Sequence, residues 1–136
     1  MSNAGWALQK AIFETLGADP ALQALIGNPP RVYDSAPANA AFPHVVFGDA
    51  REAKIAGADA LVAHDLRIAV HSRYEGRREV KDIVTAILSA LDGAPLTLAG
   101  FALISLRATF SDIIHRQEAD VYQGAIRFRA VTEAAA

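Results

Sequence analysis

One amphipathic stretch, Ser72–Leu91, constrains the fold of this 136-residue chain more than any other. Ser72 and Glu75 have the spacing of a capping box, which predicts that a helix begins there, and Asp92-Gly93 predicts its end because glycine readily adopts the left-handed conformation. Alternating segments on both sides predict strands, so we expect the helix to lie across one sheet. Its apolar residues recur at three- and four-residue steps, the helical period: Val80, Ile83, Val84, Ile87, Leu88 and Leu91.

The rest of the pattern predicts further elements. Residues 6–16 and 21–26 have helical periodicity, and Asp19-Pro20 between them is a typical helix start. Strands are predicted at 31–34, 44–48, 61–71, 95–98, 101–112 and 121–131. Residues 49–60 show neither period, which predicts a mobile hairpin tip or loop. The predicted fold is one α+β domain of order ααβββαβββ, with a mixed or antiparallel sheet packed by one long amphipathic helix and two N-terminal helices.

We treat residues 1–136 as a single domain. Residues 1–5 are expected to be disordered or tag-derived, and residues 133–136 to form a frayed tail. In the strand 101–112, alternation predicts Phe101 and Leu103 on the same face as Arg107, with Ile104 and Phe110 on the opposite face.

Composition excludes several classes of protein. The net charge of −2 gives no general attraction to nucleic acid or anionic membrane, so we predict no membrane partner and no sequence-specific nucleic-acid partner. The chain has no cysteine, which excludes disulfides, thiolate metal sites and a cysteine nucleophile. No apolar run approaches the ~20 residues of a membrane span, and no signal-peptide pattern opens the sequence.

No catalytic or metal-binding constellation emerges from the histidines. His64 and His71 lie seven residues apart on one predicted strand, so they point to opposite faces and cannot share an ion. We interpret these two, with His44 and His115, as solvated or edge residues. Ser72, His71 and Asp65 do not form a triad, because Ser72 is assigned to the helix cap and no nucleophile elbow is present. We therefore predict no catalytic, cofactor-binding or metal-binding residues.

The arginines are the candidate functional residues. We expect Arg73, Arg77 and Arg78 to form a basic turn at the helix start. A second group is expected on the solvent face of the two long strands: Arg107, Arg127 and Arg129. A mixed charged surface is one interpretation, and a subunit interface is the sharper one, because arginine forms bidentate pairs with carboxylates. The candidate partner carboxylates are Glu118, Asp120 and Asp49.

Several ordered segments resemble the phage tail-completion, or tail-terminator, family, which also occurs in prophages and gene-transfer agents. The residues that carry the resemblance are Arg31–Ser35 followed by Ala36-Pro37, Phe42–Gly48, His71–Arg77, Ala94–Gly100 and Ile126–Ala130. The resemblance as a whole runs in order from about Leu8 to Glu133, nearly the whole chain. The resemblance implies a non-enzymatic structural protein without cofactors.

Members of the family form a ring, typically a hexamer, that caps the tail tube of a long-tailed phage and joins it to the head connector. The implied partners are further copies of the chain, the tail tube protein and a head-completion protein. The implied location is the host cytoplasm during assembly, then the tail of the virion or phage-like particle. The alternatives are a small metal-dependent or hydrolytic enzyme using His44 or His115, and a monomeric ligand-binding module.

Overall fold

The computed structural model describes residues 3–135, which form three helices and one five-stranded sheet. The single α+β domain is confirmed, but the described elements have the order ααβββαββ. The helices are α1 (Ala4–Gly17), α2 (Pro20–Ile26) and α3 (Arg78–Leu91). The strands are β1 (Val32–Tyr33), β2 (His44–Ile55), β3 (Ala58–Ser72), β4 (Phe101–Arg116) and β5 (Val121–Ala134).

The sheet is mixed, with the strand order β1-β2-β3-β5-β4. The short β1 pairs with β2 in parallel, and every other neighbouring pair is antiparallel. The ladder between β3 and β5 joins segments that are distant in the chain, with α3 and β4 between them, whereas β2–β3 and β4–β5 are hairpins.

All three helices contribute to one core on one side of the sheet, which we call the inner face; the opposite side is the outer face. The apolar stripe of α3 is buried as predicted, and Ile87 is fully buried. It packs on β3 and β5, whose inner-face residues include Ile68 and Phe128. Gly124 on β5 permits this close approach, because an added Cβ would lie 3.0 Å from methyl groups of both Val80 and Val84.

The start of the central helix differs from the prediction. Helix α3 begins at Arg78, and Ser72 is the last residue of β3, so the Ser72–Glu75 capping box is wrong. The Ser72 hydroxyl instead donates to Glu79 Oε1 at 2.7 Å and accepts from the Tyr74 amide at 3.1 Å. The predicted end at Asp92-Gly93 is confirmed, since α3 stops at Leu91 and Gly93 has φ +76°.

Of the two predictions for residues 49–60, the hairpin tip is confirmed and the loop is wrong, because these residues form the distal half of the β2–β3 hairpin. Lys54 pairs with Val62, and the turn is confined to Ala56 and Gly57. These strands lie at the open end of the sheet and bury little, so they lack the alternation by which strands are recognised. The strand predicted at 95–98 is also wrong, since only an isolated bridge joins Leu98 to Phe101.

Two register shifts in β4 overturn the predicted assignment of its faces. They fall between Leu103 and Ser105 and between Ala108 and Phe110. Each adds a residue and reverses the alternation that follows it. Phe101 and Leu103 consequently pack against the core, while Ile104 and Phe110 are 53% and 57% exposed.

The ends of the domain are regular over the described residues. Helix α1 begins at Ala4, and the Asn3 side chain accepts a hydrogen bond from the Trp6 amide as its N-cap. It therefore begins inside the segment 1–5 that we expected to be disordered or tag-derived, of which residues 1 and 2 lie outside the description. Strand β5 reaches Ala134 and so enters the segment 133–136 that we expected to be a frayed tail. Residue 136 of that segment lies outside the described residues. None of the helices described is long and apolar enough to cross a membrane.

Candidate functional surface

Arginine pairs dominate the middle of the outer face. Strand register places Arg67 of β3 directly beside Arg127 of β5, and Arg107 of β4 directly beside Arg129 of β5. Like charges at directly opposite positions of an antiparallel ladder repel each other. The predicted grouping of Arg107, Arg127 and Arg129 on the solvent face is therefore present, and within it the register sets Arg107 opposite Arg129, an unfavourable pair of like charges.

Arg127 is neutralised within the chain. Its Nη2 donates to Asp49 Oδ2 at 3.1 Å, its Nη1 lies 3.5 Å from Asp65 Oδ1, and its side chain is only 34% exposed. The hydrogen bond from Arg127 lowers the pKa of Asp49. Asp49, a candidate partner for a neighbouring copy, is thus already bound to an arginine of its own chain.

Arg107 and Arg129 remain without a carboxylate partner among the described residues. Both side chains are exposed, and Nη1 of Arg107 lies 2.9 Å from the position that a Cβ on Gly93 would take. Asp65 stands opposite Arg129 in the β3–β5 register, but its carboxylate is within 3.5 Å of Arg127. Arg107 and Arg129 are therefore two outer-face guanidiniums that are available to an external anion.

The basic turn is a separate feature. The Arg73 guanidinium lies 4.3 Å from the ring centre of Phe42, and that of Arg77 lies 5.3 Å from the ring centre of Tyr122. Arg78 makes an exposed contact of 3.8 Å with Asp82 on its own helix. Tyr122 and Arg129 are seven residues apart on β5, about 23 Å at the usual rise of a strand. The six candidate arginines thus form two groups, not one patch.

Large apolar side chains are exposed near the two opposite edges of the sheet, at β4 and beside β1. Ile104, Phe110 and Ile114 lie on the edge strand β4. On the side of β1, Trp6 and Phe13 of α1 are 55% and 46% exposed and line an open groove of about 470 Å³. Exposed apolar groups of this size are typical of surfaces that bind another protein.

Two histidines form a stacked pair on the outer face near the start of β2. The rings of His44 and His71 are 5.1 Å apart, and Phe42 and Tyr33 contact the His44 ring edge-on. Burial lowers the pKa of His44, and burial together with the His44 ring lowers the pKa of His71 to about 4. Both rings are therefore neutral at physiological pH and act as packing groups.

His64 is held on the inner face, opposite to His71 as predicted. Its Nε2 is 2.8 Å from the Thr132 hydroxyl and its Nδ1 is 3.4 Å from Glu52 Oε1, and burial lowers its pKa. The hydroxyl of Thr132, the imidazole of His64 and the carboxylate of Glu52 thus lie in the spatial order of a catalytic triad. Thr132, however, is 1% exposed and does not line the cavity of about 440 Å³ beside His64, so its hydroxyl cannot reach a substrate there.

His115 stacks on Tyr122 with ring centres 4.2 Å apart, and its Nε2 lies 3.3 Å from Asp120 Oδ1. Neither His115 nor His44, the residues of the enzyme alternative, joins a cluster of ligands. Within residues 3–135, no group of three histidine, aspartate or glutamate side chains is arranged to hold a metal ion. Neither the His44–His71 stack nor the hydrogen-bonded row Thr132–His64–Glu52 was predicted from the sequence, because both depend on strand register.

A small domain with helices on one face, unpaired guanidiniums on the other and apolar groups at both sides is typical of a subunit that binds other proteins. The family model "Tail completion protein gp17" matches residues 10–133, and the chain belongs to this family of phage tail structural proteins. The chain is also similar to one from a structure described as the virion of a native gene transfer agent particle. The two are 31% identical with a TM-score of 0.84, over 98% of this chain and 100% of the other. No curated protein sequence matches it.

Proposed function

We propose that this chain is a tail terminator, identical copies of which form a six-membered ring that caps the tail tube and joins it to the head connector. The observation that carries the proposal is the likeness in both sequence and fold to a chain of a gene transfer agent virion, across the full length of that chain. The family match over residues 10–133 supports it independently.

The charged outer face supports an assembly role. A cyclic ring needs two different surfaces on each copy, because every contact is heterologous. Arg107 and Arg129 repel each other in the isolated chain, and carboxylates of an adjacent subunit would relieve this repulsion. We infer that these two arginines contact a neighbouring copy. The basic turn at Arg73, Arg77 and Arg78 lies far from them and suits a different partner, the tail tube protein or the head connector.

The proposed role is non-enzymatic, and it needs no cofactor. The polar groups best arranged for acid–base chemistry are the buried His64, bound to Thr132, and the stacked pair His44–His71. In the proposed role both groups serve packing. The protein would be in the host cytoplasm during assembly and then in the tail of a phage, prophage-derived or gene-transfer particle.

The proposal is tested by deleting the gene in the parent element and examining the particles by electron microscopy. We expect tails of uncontrolled length that carry no head, and restoration of normal particles by the natural chain. The double variant Arg107→Glu, Arg129→Glu should fold and fail to restore them. Lys81→Glu, an exposed charge reversal on α3, should restore them fully. Normal particles in the deletion strain would contradict the proposal.

A further inference from the structure

We infer that copies of this chain join edge to edge, the open edge of β4 in one copy pairing with the open edge of β2 in the next. This inference rests on the proposed ring and names the surfaces that close it. In the proposed contact, backbone groups of the two edge strands form hydrogen bonds with each other, and side-chain pairs determine the register.

Both edges are open over a similar length. Beyond Val46, no strand among the described residues covers the free side of β2, because β1 pairs only with Val45 and Val46. The first half of β4 is covered: the Gly93 amide donates to the Leu106 carbonyl at 2.8 Å, and the Asp92 carboxylate accepts from the Ala108 amide at 2.9 Å. From residue 109 to residue 116 the free side of β4 has no such cover in the described chain. Unprotected edges of this length are templates for pairing with another strand.

The strand directions permit the pairing. Strand β2 is antiparallel to β3, β3 to β5 and β5 to β4, so β4 runs antiparallel to β2. A rotation that places the next copy beside the first leaves these directions nearly unchanged at the contact. The edge of β4 therefore meets the edge of β2 in antiparallel orientation, and the same contact repeats around the ring.

The outer-face charges at the two edges are complementary in this orientation. In chain order, β4 carries Asp112 and then Arg116, and β2 carries Asp49 and then Arg51. Antiparallel pairing can set Asp112 opposite Arg51 and brings Arg116 toward the end of β2 that carries Asp49, which Arg127 of its own chain already binds, whereas parallel pairing would bring like charges together. The register that sets Asp112 opposite Arg51 also sets Phe110 opposite Ala53, which covers part of an exposed aromatic ring.

The same register brings Arg107 to the β2–β3 turn of the next copy. Asp59, an exposed carboxylate, follows that turn. Arg107 would thus gain the carboxylate partner that it lacks within its own chain. The arginine repulsion and the two open edges are then explained by one contact.

Cysteine cross-linking tests the inference cleanly, because the chain contains no cysteine. The double variant Phe110→Cys, Ala53→Cys should form a disulfide-linked ladder of multimers under mild oxidation, both as purified chain and in assembled particles. Each single variant should remain monomeric on a denaturing gel, because a heterologous contact never brings a position to its own copy. A second outer-face pair, Phe110→Cys with Arg51→Cys, would cross-link if the register is shifted by two residues. The pair Phe110→Cys with Glu52→Cys is the negative control, because Glu52 lies on the inner face.

Ladders from the outer-face pairs and not from the Glu52→Cys pair would support the inference. Dimers of a single variant, or no ladder from any outer-face pair in either preparation, would overturn it. The experiments distinguish failure of this contact from failure of the terminator proposal. Normal tails in particles without ladders would reject this contact and leave the terminator proposal intact, whereas normal tails without the gene would reject the terminator.

A charge reversal supplies a second readout. Asp112→Arg should abolish the ladder in the cross-linking background, and adding Arg51→Asp should restore it. Asp82→Arg on α3, away from both edges, is the matched control and should leave the ladder unchanged. Equal ladders from Asp112→Arg and from the control would contradict the predicted register.

Discussion

Arg127 on β5 reaches across β3 to Asp49 on β2, with Nη2 3.1 Å from Oδ2. Asp49 lies at the register shift of β2 between Phe47 and Ala50. The contact with Asp49 separates Arg127 from the other outer-face arginines, because its charge is already neutralised. We expect Arg127→Glu to lower the melting temperature, since the new carboxylate would face Asp49 and Asp65.

The matched control is Arg129→Glu, which loses attraction to Asp65 but gains Arg107 as an opposite charge at the neighbouring position. Thermal unfolding followed by circular dichroism distinguishes the two. Equal melting temperatures for both variants would show that the Asp49 contact does not stabilise the fold.

Arg107→Glu should stabilise the isolated chain. It converts a repulsive cross-strand pair with Arg129 into an attractive one, and such pairs contribute about 0.2–1 kcal/mol. Urea unfolding should show a higher midpoint with an unchanged slope, and Arg107→Gln should give an intermediate value. A lower midpoint for Arg107→Glu would mean that Arg107 serves the monomer in another way.

The core under α3 can be tested at Ile87, which is fully buried. Ile87→Asp should leave the chain unfolded, because a carboxylate buried without a partner costs several kcal/mol against a total stability of roughly 5–15 kcal/mol. Thr85→Asp, on the exposed side of the same helix, should keep a cooperative transition near that of the natural chain. Circular dichroism spectra that match for all three chains would exclude this helix from the core.

The buried histidines predict a loss of stability in mild acid. The pKa of His71 is lowered to about 4 in the folded chain, against 6.5 for an ordinary histidine, and the pKa values of His44 and His64 are lowered in the same direction. Between these values the unfolded chain binds more protons than the folded chain. Stability is therefore full above pH 6.5 and falls as the pH decreases toward 4, by up to ~1.4 kcal/mol per pH unit for each histidine.

Urea unfolding at several pH values between 7.5 and 4.5 measures this dependence. His71→Gln should reduce the slope, because one of the groups that must remain neutral is removed. A stability that is constant from pH 7 to pH 5 would contradict the assignment of neutral, packed imidazoles.

The features that depend on local periodicity were predictable from the sequence. The stripe around Ile87 and the helix end at Gly93 follow from spacing alone, and so does the outward direction of Arg127 and Arg129. The start of α3 was missed because Ser72 ends β3 and its hydroxyl binds the Glu79 side chain, while the helix itself begins six residues later at Arg78. The distal half of β2 was missed because its side chains are exposed on both faces and carry no alternation.

The candidate surface was predictable only in outline. The two register shifts in β4 decide that Phe110 is exposed and Phe101 is packed, and no local pattern marks them. Register also decides that Arg107 lies beside Arg129 and that Asp49 meets Arg127. These relationships join segments more than 20 residues apart, so they follow from the assembled sheet and not from any one stretch of sequence.

Cryo-electron microscopy of purified particles tests the central claim most directly. If the chain terminates tails, its fold should appear as a ring of six copies at the head-proximal end of the tail tube, with β4 of each copy next to β2 of its neighbour. Finding the fold elsewhere in the particle, or finding no copies of it in particles with normal tails, would contradict the account.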